Sequence, residues 1–181
     1  MESNKDIKML WNERFTKGLP SLETPDPFFI TMYEQYICKY PSGGKALDLA
    51  AGLGRHSLYL ADRQWDTTAV DISAVAIEKL KAANPAVDTH VLDVADYHLE
   101  RESFDLIVLY YHFDRTLFPE IFSALKPGGL FICKLAVSYA GNYPALQKEE
   151  FLSLVTDFRL ITHVERPVRD RGVVEYLGKK N

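Results

Sequence analysis

Three aspartates each close a short apolar run at nearly even spacing. Asp48 lies in Lys45-Ala-Leu-Asp-Leu, Asp71 ends Thr68-Ala-Val-Asp, and Asp93 follows Thr89-His-Val-Leu. Asp71 comes 23 residues after Asp48, and Asp93 comes 22 after Asp71. Between the first two runs the chain turns through Gly52 and Gly54. Glycines at such a turn let the backbone lie close against a ligand, while N–H groups at the start of the following helix offer hydrogen bonds. Gly52-Leu-Gly-Arg-His-Ser imitates the G-x-G-x-x-G/A dinucleotide pattern, so an NAD(P) oxidoreductase has to be weighed. Asp48 argues against it, because a carboxylate there would oppose a pyrophosphate. An ammonium group would suit it through a charge-assisted hydrogen bond. Asp71 stands near the spacing at which an acid takes ribose hydroxyls. Ile72 beside it could pack on an adenine face. Asp93 could accept from the adenine amino group, with backbone near Val94 meeting a ring nitrogen. Any one of these aspartates reads equally well as a helix cap or turn residue. Three in step after consecutive strands are much harder to assign to capping alone.

The elements that must position them alternate. Strands are expected at 45–49, 66–71, 88–92, 104–110 and 130–137, with a closing pair at 159–165 and 172–177. Helices are expected at 5–15, 28–40, 55–63, 73–83, 117–125 and 148–156. In the first helix Ile7, Leu10, Trp11 and Arg14 share a face. Pro41, Ser42, Gly43 and Gly44 would stop the second. Alternating β and α segments imply an α/β fold, a Rossmann-like and mainly parallel seven-stranded sheet with helices on both faces. The closing pair reads as an antiparallel C-terminal hairpin. On this reading residues 1–181 form a single domain, with 1–41 an N-terminal helical segment and 45–181 the Rossmann-like core. All three acids then fall on the carboxyl edge of the sheet, where such folds bind ligands.

These residues resemble the class I S-adenosylmethionine-dependent methyltransferases. The likeness runs from about Lys45 to Val137 through Leu47-Asp-Leu-Ala-Ala-Gly-Leu-Gly, Ala69-Val-Asp-Ile-Ser, Phe104-Asp-Leu-Ile-Val and Leu125-Lys-Pro-Gly-Gly-Leu. It implies S-adenosylmethionine as cofactor. Asp48 and the glycine loop (Ala50, Gly52, Gly54) would take the methionine end, Asp71 and Ile72 the ribose and adenine face, Asp93 and Val94 the adenine. Carbonyls near Leu109 and Tyr110 would hold the ammonium. One departure is Ala50, where the family usually has its first glycine. Gly54-Arg-His-Ser-Leu-Tyr-Leu-Ala and Trp11-Asn-Glu-Arg-Phe look like the tellurite-resistance and thiopurine-type group, which methylates small soft nucleophiles. In that group the N-terminal segment folds over the cofactor, a role that would fall to Trp11 and Arg14; packing of an amphipathic helix explains them equally well.

Methyl transfer requires a nucleophile in line with the sulfonium methyl, at roughly 3–3.5 Å. Tyr110-Tyr-His-Phe-Asp-Arg leaves the fourth strand near that point, which makes His112 and Tyr111 the candidate catalytic residues. A structural role for His112 stays open. Tyr139, Asn142 and Tyr143 could line an acceptor pocket. Arg55 and His56 are expected at the surface, and Arg166, Arg169 and Arg171 in a solvated hairpin turn. Cys38 and Cys133 lack zinc-site spacing and are expected as buried free thiols, with no metal bound.

The net charge of −4, with scattered Lys and Arg, makes nucleic acid an unfavoured partner. No apolar run reaches the roughly 20 residues of a membrane span, and a cytoplasmic location is expected. The leading expectation is methyl transfer to a small-molecule acceptor, a thiol or chalcogen-type nucleophile. The alternatives are a methyltransferase acting on RNA or protein, the oxidoreductase, and a non-catalytic cofactor-binding module. Nothing in the sequence marks an oligomer interface.

Overall fold

The structure is a computed structural model that describes residues 4–19, 23–40, 44–140 and 144–181. Asn142, Tyr143 and the expected helix stop at Pro41, Ser42 and Gly43 lie outside the described residues. The strands are β1 (Lys45–Leu49), β2 (Asp66–Asp71), β3 (Asp88–Val91), β4 (Phe104–Tyr110), β5 (Leu125–Val137), β6 (Arg159–Val168) and β7 (Arg171–Lys179). The helices are α1 (Asn4–Lys17), α2 (Pro27–Gln35), α3 (Arg55–Ala61), α4 (Ala74–Ala83), α5 (Leu117–Ala124) and α6 (Phe151–Leu154). The strand order is β3-β2-β1-β4-β5-β7-β6, a seven-stranded Rossmann-like sheet. The chain divides into two compact units, Met1–His98 and Leu99–Asn181.

In the first unit β1, β2 and β3 pair in parallel, with Asp48 opposite Ala69 and Asp71 opposite Val91. Ala46, Leu47, Leu49, Ala69 and Val70 are fully buried, as strands covered on both faces require. Ala69, Ile77, Leu80 and Val87 form a core cluster under α4. Ser73 caps α4 by accepting from the Ala76 N–H. Asp26 caps α2 by accepting from the Phe28 N–H, with Pro27 opening the helix. The helix anticipated to run to Tyr40 ends at Gln35. Tyr36, at φ −130°, leaves helical geometry, and a 3₁₀ turn over Ile37–Lys39 tucks Ile37 into the core. Cys38 consequently points outward, correcting the expectation that its thiol is buried. On α1 the buried position is Phe15, aligned with Ile7 and Trp11 at steps of four; Leu10 is off this stripe and exposed.

In the second unit β4 pairs in parallel with β5, while β7 runs antiparallel to both β5 and β6. The sheet therefore ends in the expected hairpin, its strands longer than anticipated. β5 also starts earlier than expected, at Leu125. The ladder steps from Phe104–Leu125 to Leu106–Leu130, so Lys126–Gly129 loop out of it. Gly128 has φ +84° there, and a side chain on Gly129 would press on the Lys126 carbonyl oxygen at 2.9 Å. The helix anticipated at 148–156 shrinks to Phe151–Leu154, because Glu149 has φ +63° and breaks the helical path before it. Only Arg169 of the three hairpin arginines lies in the turn. Arg166 lies on β6 against Glu175, and Arg171 opens β7.

An aromatic cluster of Phe118, Phe131, Phe151, Phe158 and Tyr176 fills the core of this unit. Cys133, fully buried within the sheet, has its thiol pushed up by burial. The end of α5 is closed by a lysine: Lys180 Nζ donates to the carbonyls of Leu125 at 2.7 Å and Ser123 at 3.3 Å. Lys180→Met keeps the stem and deletes both charged hydrogen bonds, and is expected to cost about 1.5–3 kcal/mol. Thermal unfolding should show it as a Tm several degrees lower; an unchanged Tm would mean the carbonyls are satisfied without the lysine.

Candidate functional site

The turn after β1 is built from left-handed backbone. Ala50 has φ +54°, Gly52 +56° and Gly54 +72°. Glycine adopts this region freely; an L-residue does so at a cost of roughly 1–2 kcal/mol. Ala50 bears that strain where a glycine would not. Ala50→Gly is therefore expected to raise stability by about 1 kcal/mol, partly offset by the looser unfolded chain. Chemical denaturation should show a higher midpoint, and a lower one would refute strain at this position. The other two glycines are held by their neighbours. A Cβ on Gly52 would lie 3.1 Å from the Phe15 ring, and one on Gly54 would lie 2.4 Å from Leu80 Cδ1.

Asp48 is 2% exposed, and its Oδ2 accepts from Ser57 Oγ at 2.6 Å. Burial pushes its carboxyl from an ordinary 3.8 up to about 7, against the opposing pull of the Ser57 hydrogen bond and the Arg55 charge. Asp71 is also buried and bridges two turns. Its Oδ2 accepts from the Gly52 N–H at 2.8 Å and its Oδ1 from the Ser73 N–H at 2.8 Å. Asp93 caps a short 3₁₀ turn, accepting from the Ala95 N–H at 3.1 Å, with Val94 buried behind it. Asp71 and Asp93 thus do perform the local capping work that Asp commonly does. Asp48 also accepts from the Ser57 backbone N–H in the first turn of α3, and its burial is the less ordinary observation.

Trp11 stacks on Phe15 with centroids 5.5 Å apart, and the Arg14 guanidinium lies 4.9 Å over the Trp11 ring. His56 is buried rather than at the surface. Its Nε2 accepts from the Asp26 N–H at 3.3 Å, and its ring packs 4.5 Å from Phe29. Arg55 is half-buried and donates to the Thr24 carbonyl. His56 therefore supports the start of α2, a role invisible without the tertiary contact.

In the second unit β4 delivers Leu109, fully buried, and Tyr110, nearly so. Tyr111 follows at φ +59°, a strained value for an aromatic residue, with its N–H donated to the Lys134 carbonyl at 2.8 Å. Its side chain is exposed and that of His112 is half-buried. Arg115, which the sequence reading did not single out, staples the segment after β5 to the segment after β4. It donates to Glu150 Oε1 at 2.7 Å and Oε2 at 2.9 Å, and to the carbonyls of Pro144 and Ala145. That hydrogen bonding holds the Glu150 carboxyl below its ordinary range. Tyr139 is exposed, its ring lying over Gly172.

Residues 46–129 match the family model described as a methyltransferase domain. Over those residues the chain is similar to a methyltransferase domain. The donor that this likeness implies is S-adenosylmethionine. The domain is similar to N-methyltransferase NodS from Bradyrhizobium japonicum WM9, solved with S-adenosyl-L-homocysteine. That similarity has a TM-score of 0.73 at 16% identity, covering 96% of this chain and 97% of that one. TehB from Haemophilus influenzae gives a TM-score of 0.72 at 19% identity, covering 94% of this chain and 67% of that one. A 23S rRNA (uracil(747)-C(5))-methyltransferase from Pyrococcus horikoshii is 34% identical over 71 residues, 36% of this chain. The match spans only 17% of that relative's length.

The residues of the methyltransferase domain fit the donor. A buried carboxylate whose ionisation is opposed by burial is stabilised by an ammonium. Among the described residues no group of three or more His, Cys, Asp or Glu could hold a metal ion. No helix among them is long and apolar enough to cross a membrane.

Proposed function

We propose that the chain transfers a methyl group from S-adenosylmethionine to a small-molecule acceptor, releasing S-adenosylhomocysteine. The observation that carries this is Asp48, a buried carboxyl at the end of β1 with its pKa raised to about 7, under a turn whose Gly52 N–H is tied to a second buried carboxylate, Asp71. Asp48 and the Ala50–Gly54 turn receive the methionine end. Asp71 takes the ribose hydroxyls, Ile72 packs on the adenine, and Asp93 with the backbone at Val94 meets its edge. Trp11 and Arg14 cover the bound molecule.

When bound, the donor supplies a methyl carbon activated by the sulfonium charge, so the chain needs chiefly to orient the acceptor and exclude water. Tyr111 and His112 contact the acceptor, and His112 takes its proton where the acceptor reacts from a protonated form. A soft nucleophile such as a thiolate needs no strong base. The acidic net charge, and the resemblance of Gly54-Arg-His-Ser-Leu-Tyr-Leu-Ala and Trp11-Asn-Glu-Arg-Phe to the tellurite-resistance and thiopurine-type group, support a small thiol or chalcogen-type acceptor over a nucleic acid. One domain acting on a small acceptor, in a cytoplasmic setting, is the arrangement this reading implies.

The test is calorimetric titration with S-adenosylhomocysteine, NADH and NADPH, then transfer of labelled methyl to small thiols, chalcogen oxyanions and total RNA. Micromolar binding of the first ligand alone, with label on a small molecule, is the expected result. Binding of a nicotinamide dinucleotide instead would overturn the donor, and label on RNA alone would overturn the acceptor.

A further inference from the structure

Within the first unit, a continuous chain of hydrogen bonds leads from the glycine turn to the N-terminal helix. The Gly52 N–H donates to Asp71 Oδ2 and the Ser73 N–H to Asp71 Oδ1, each at 2.8 Å. Ser73 Oγ then donates to Asn12 Oδ1 at 2.6 Å, and the Val75 N–H reaches the same oxygen at 3.4 Å. Asn12 lies on α1, so its carboxamide oxygen caps the first turn of α4 from another helix. Ser73 Oγ also accepts from the Ala76 N–H at 3.2 Å, which fixes the hydroxyl's direction toward Asn12. One turn further along α1, Lys79 Nζ donates to the Phe15 carbonyl at 2.7 Å. The two tethers set Phe15 with its ring against Gly52.

On α1, Met9 is 55% exposed and Leu10 40%, and Phe15 is its buried apolar anchor among the described side chains. A helix of 14 residues is marginal by itself, so tertiary contacts such as these stabilise it. Their other ends are Ser73, Val75, Lys79 and Gly52, and Ser73 and Gly52 both donate to Asp71, against which the cofactor is proposed to lie.

We propose that Asn12 is a positioning residue for the cofactor: through Ser73 it links the docking of α1 to the carboxylate of Asp71, so that helix docking and cofactor binding strengthen one another. This rests on the proposed cofactor site. The link is reciprocal: whatever factor docking of α1 contributes to cofactor affinity, the cofactor returns to the docking of α1. Asn12 need not touch the ligand. Its carboxamide is specific, because only an acceptor at that position receives both the Ser73 hydroxyl and the Val75 N–H. Aspartate would serve, and alanine would not.

The experiment measures S-adenosylhomocysteine affinity by calorimetry, and tryptic cleavage at Lys8, Arg14 and Lys17 with and without that ligand. It compares the wild type, Asn12→Ala and Asn12→Asp. The ligand is expected to slow cleavage within α1 of the wild type. Asn12→Ala should bind it roughly 5- to 20-fold more weakly and lose most of the protection, and Asn12→Asp should restore both. Wild-type affinity in Asn12→Ala, beside a wild type that binds, would overturn the role of Asn12 and leave the cofactor reading intact. A wild type that fails to bind would overturn that reading and this inference with it. Weaker binding that Asn12→Asp does not restore, together with a lower melting temperature in both variants, would mean structural damage and would also overturn the assignment.

Discussion

Asp48→Asn is expected to melt higher than the wild type at pH 8 and to bind S-adenosylhomocysteine poorly at every pH. Both effects have one origin. In the folded chain burial raises the Asp48 carboxyl to about 7, from an ordinary 3.8. The native state therefore holds this proton more tightly than the unfolded state. The sign follows: the carboxyl costs the fold nothing below pH 3.8, and stability is lost as pH rises toward and through 7. Above that point the ionised group costs about 2–4 kcal/mol. Asparagine removes the charge while keeping a carbonyl for the Ser57 hydroxyl. For the ligand the sign is reversed, because its ammonium favours the ionised carboxylate. Wild-type affinity should rise roughly tenfold between pH 6 and pH 8 as Asp48 ionises, and the profile of Asp48→Asn should be flat. Melting curves and titrations across that range check both. Equal binding by the two proteins would show that Asp48 does not face the ligand.

Gly54→Ala should be among the most damaging single changes in the first unit, at about 3 kcal/mol. Two terms contribute. A φ of +72° costs an L-residue roughly 1–2 kcal/mol. The new methyl would also meet all three branch carbons of Leu80, at 2.4, 2.6 and 2.9 Å, inside a fully packed cluster. Overpacking of that kind costs about 1–3 kcal/mol. The steric part can be isolated by combining Gly54→Ala with Leu80→Ala. The double variant should be less destabilised than the sum of the singles, since the leucine that clashes is gone. Strict additivity in denaturant titrations would mean that α3 moves aside freely.

Some of this architecture could be read directly from the residues. β1, β2 and β4 occupy the residues anticipated for them, because each is a short buried stretch leading into a turn, and β4 is apolar but for Asp105. Ser73 announced the start of α4 by the same kind of local chemistry. Errors came where a single backbone angle overrode the pattern. Glu149 at positive φ cut short a helix whose composition favoured it, and Tyr36 ended α2 within an apolar stripe. The places of Asp48, Asp71 and Asp93 at strand ends were legible from spacing. Asn12, Phe15 and Arg115 were not, since their partners lie 61, 37 and 35 residues away and no periodicity links them. His56 belongs with them: beside a glycine turn it reads as surface, and only contact with Asp26 and Phe29 reveals it as buried.

The position of β7 between β5 and β6 bears on how the chain is made. β6 leaves the ribosome before the strand that joins it to β5. Until Arg171–Lys179 follows, both neighbours present bare hydrogen-bonding edges, and β6 carries exposed Leu160 and Val164. Unpaired edges of that kind recruit other chains. A nascent chain paused just before β7 would be the species most in need of a chaperone, and a message truncated there would yield aggregate rather than a smaller version of the fold.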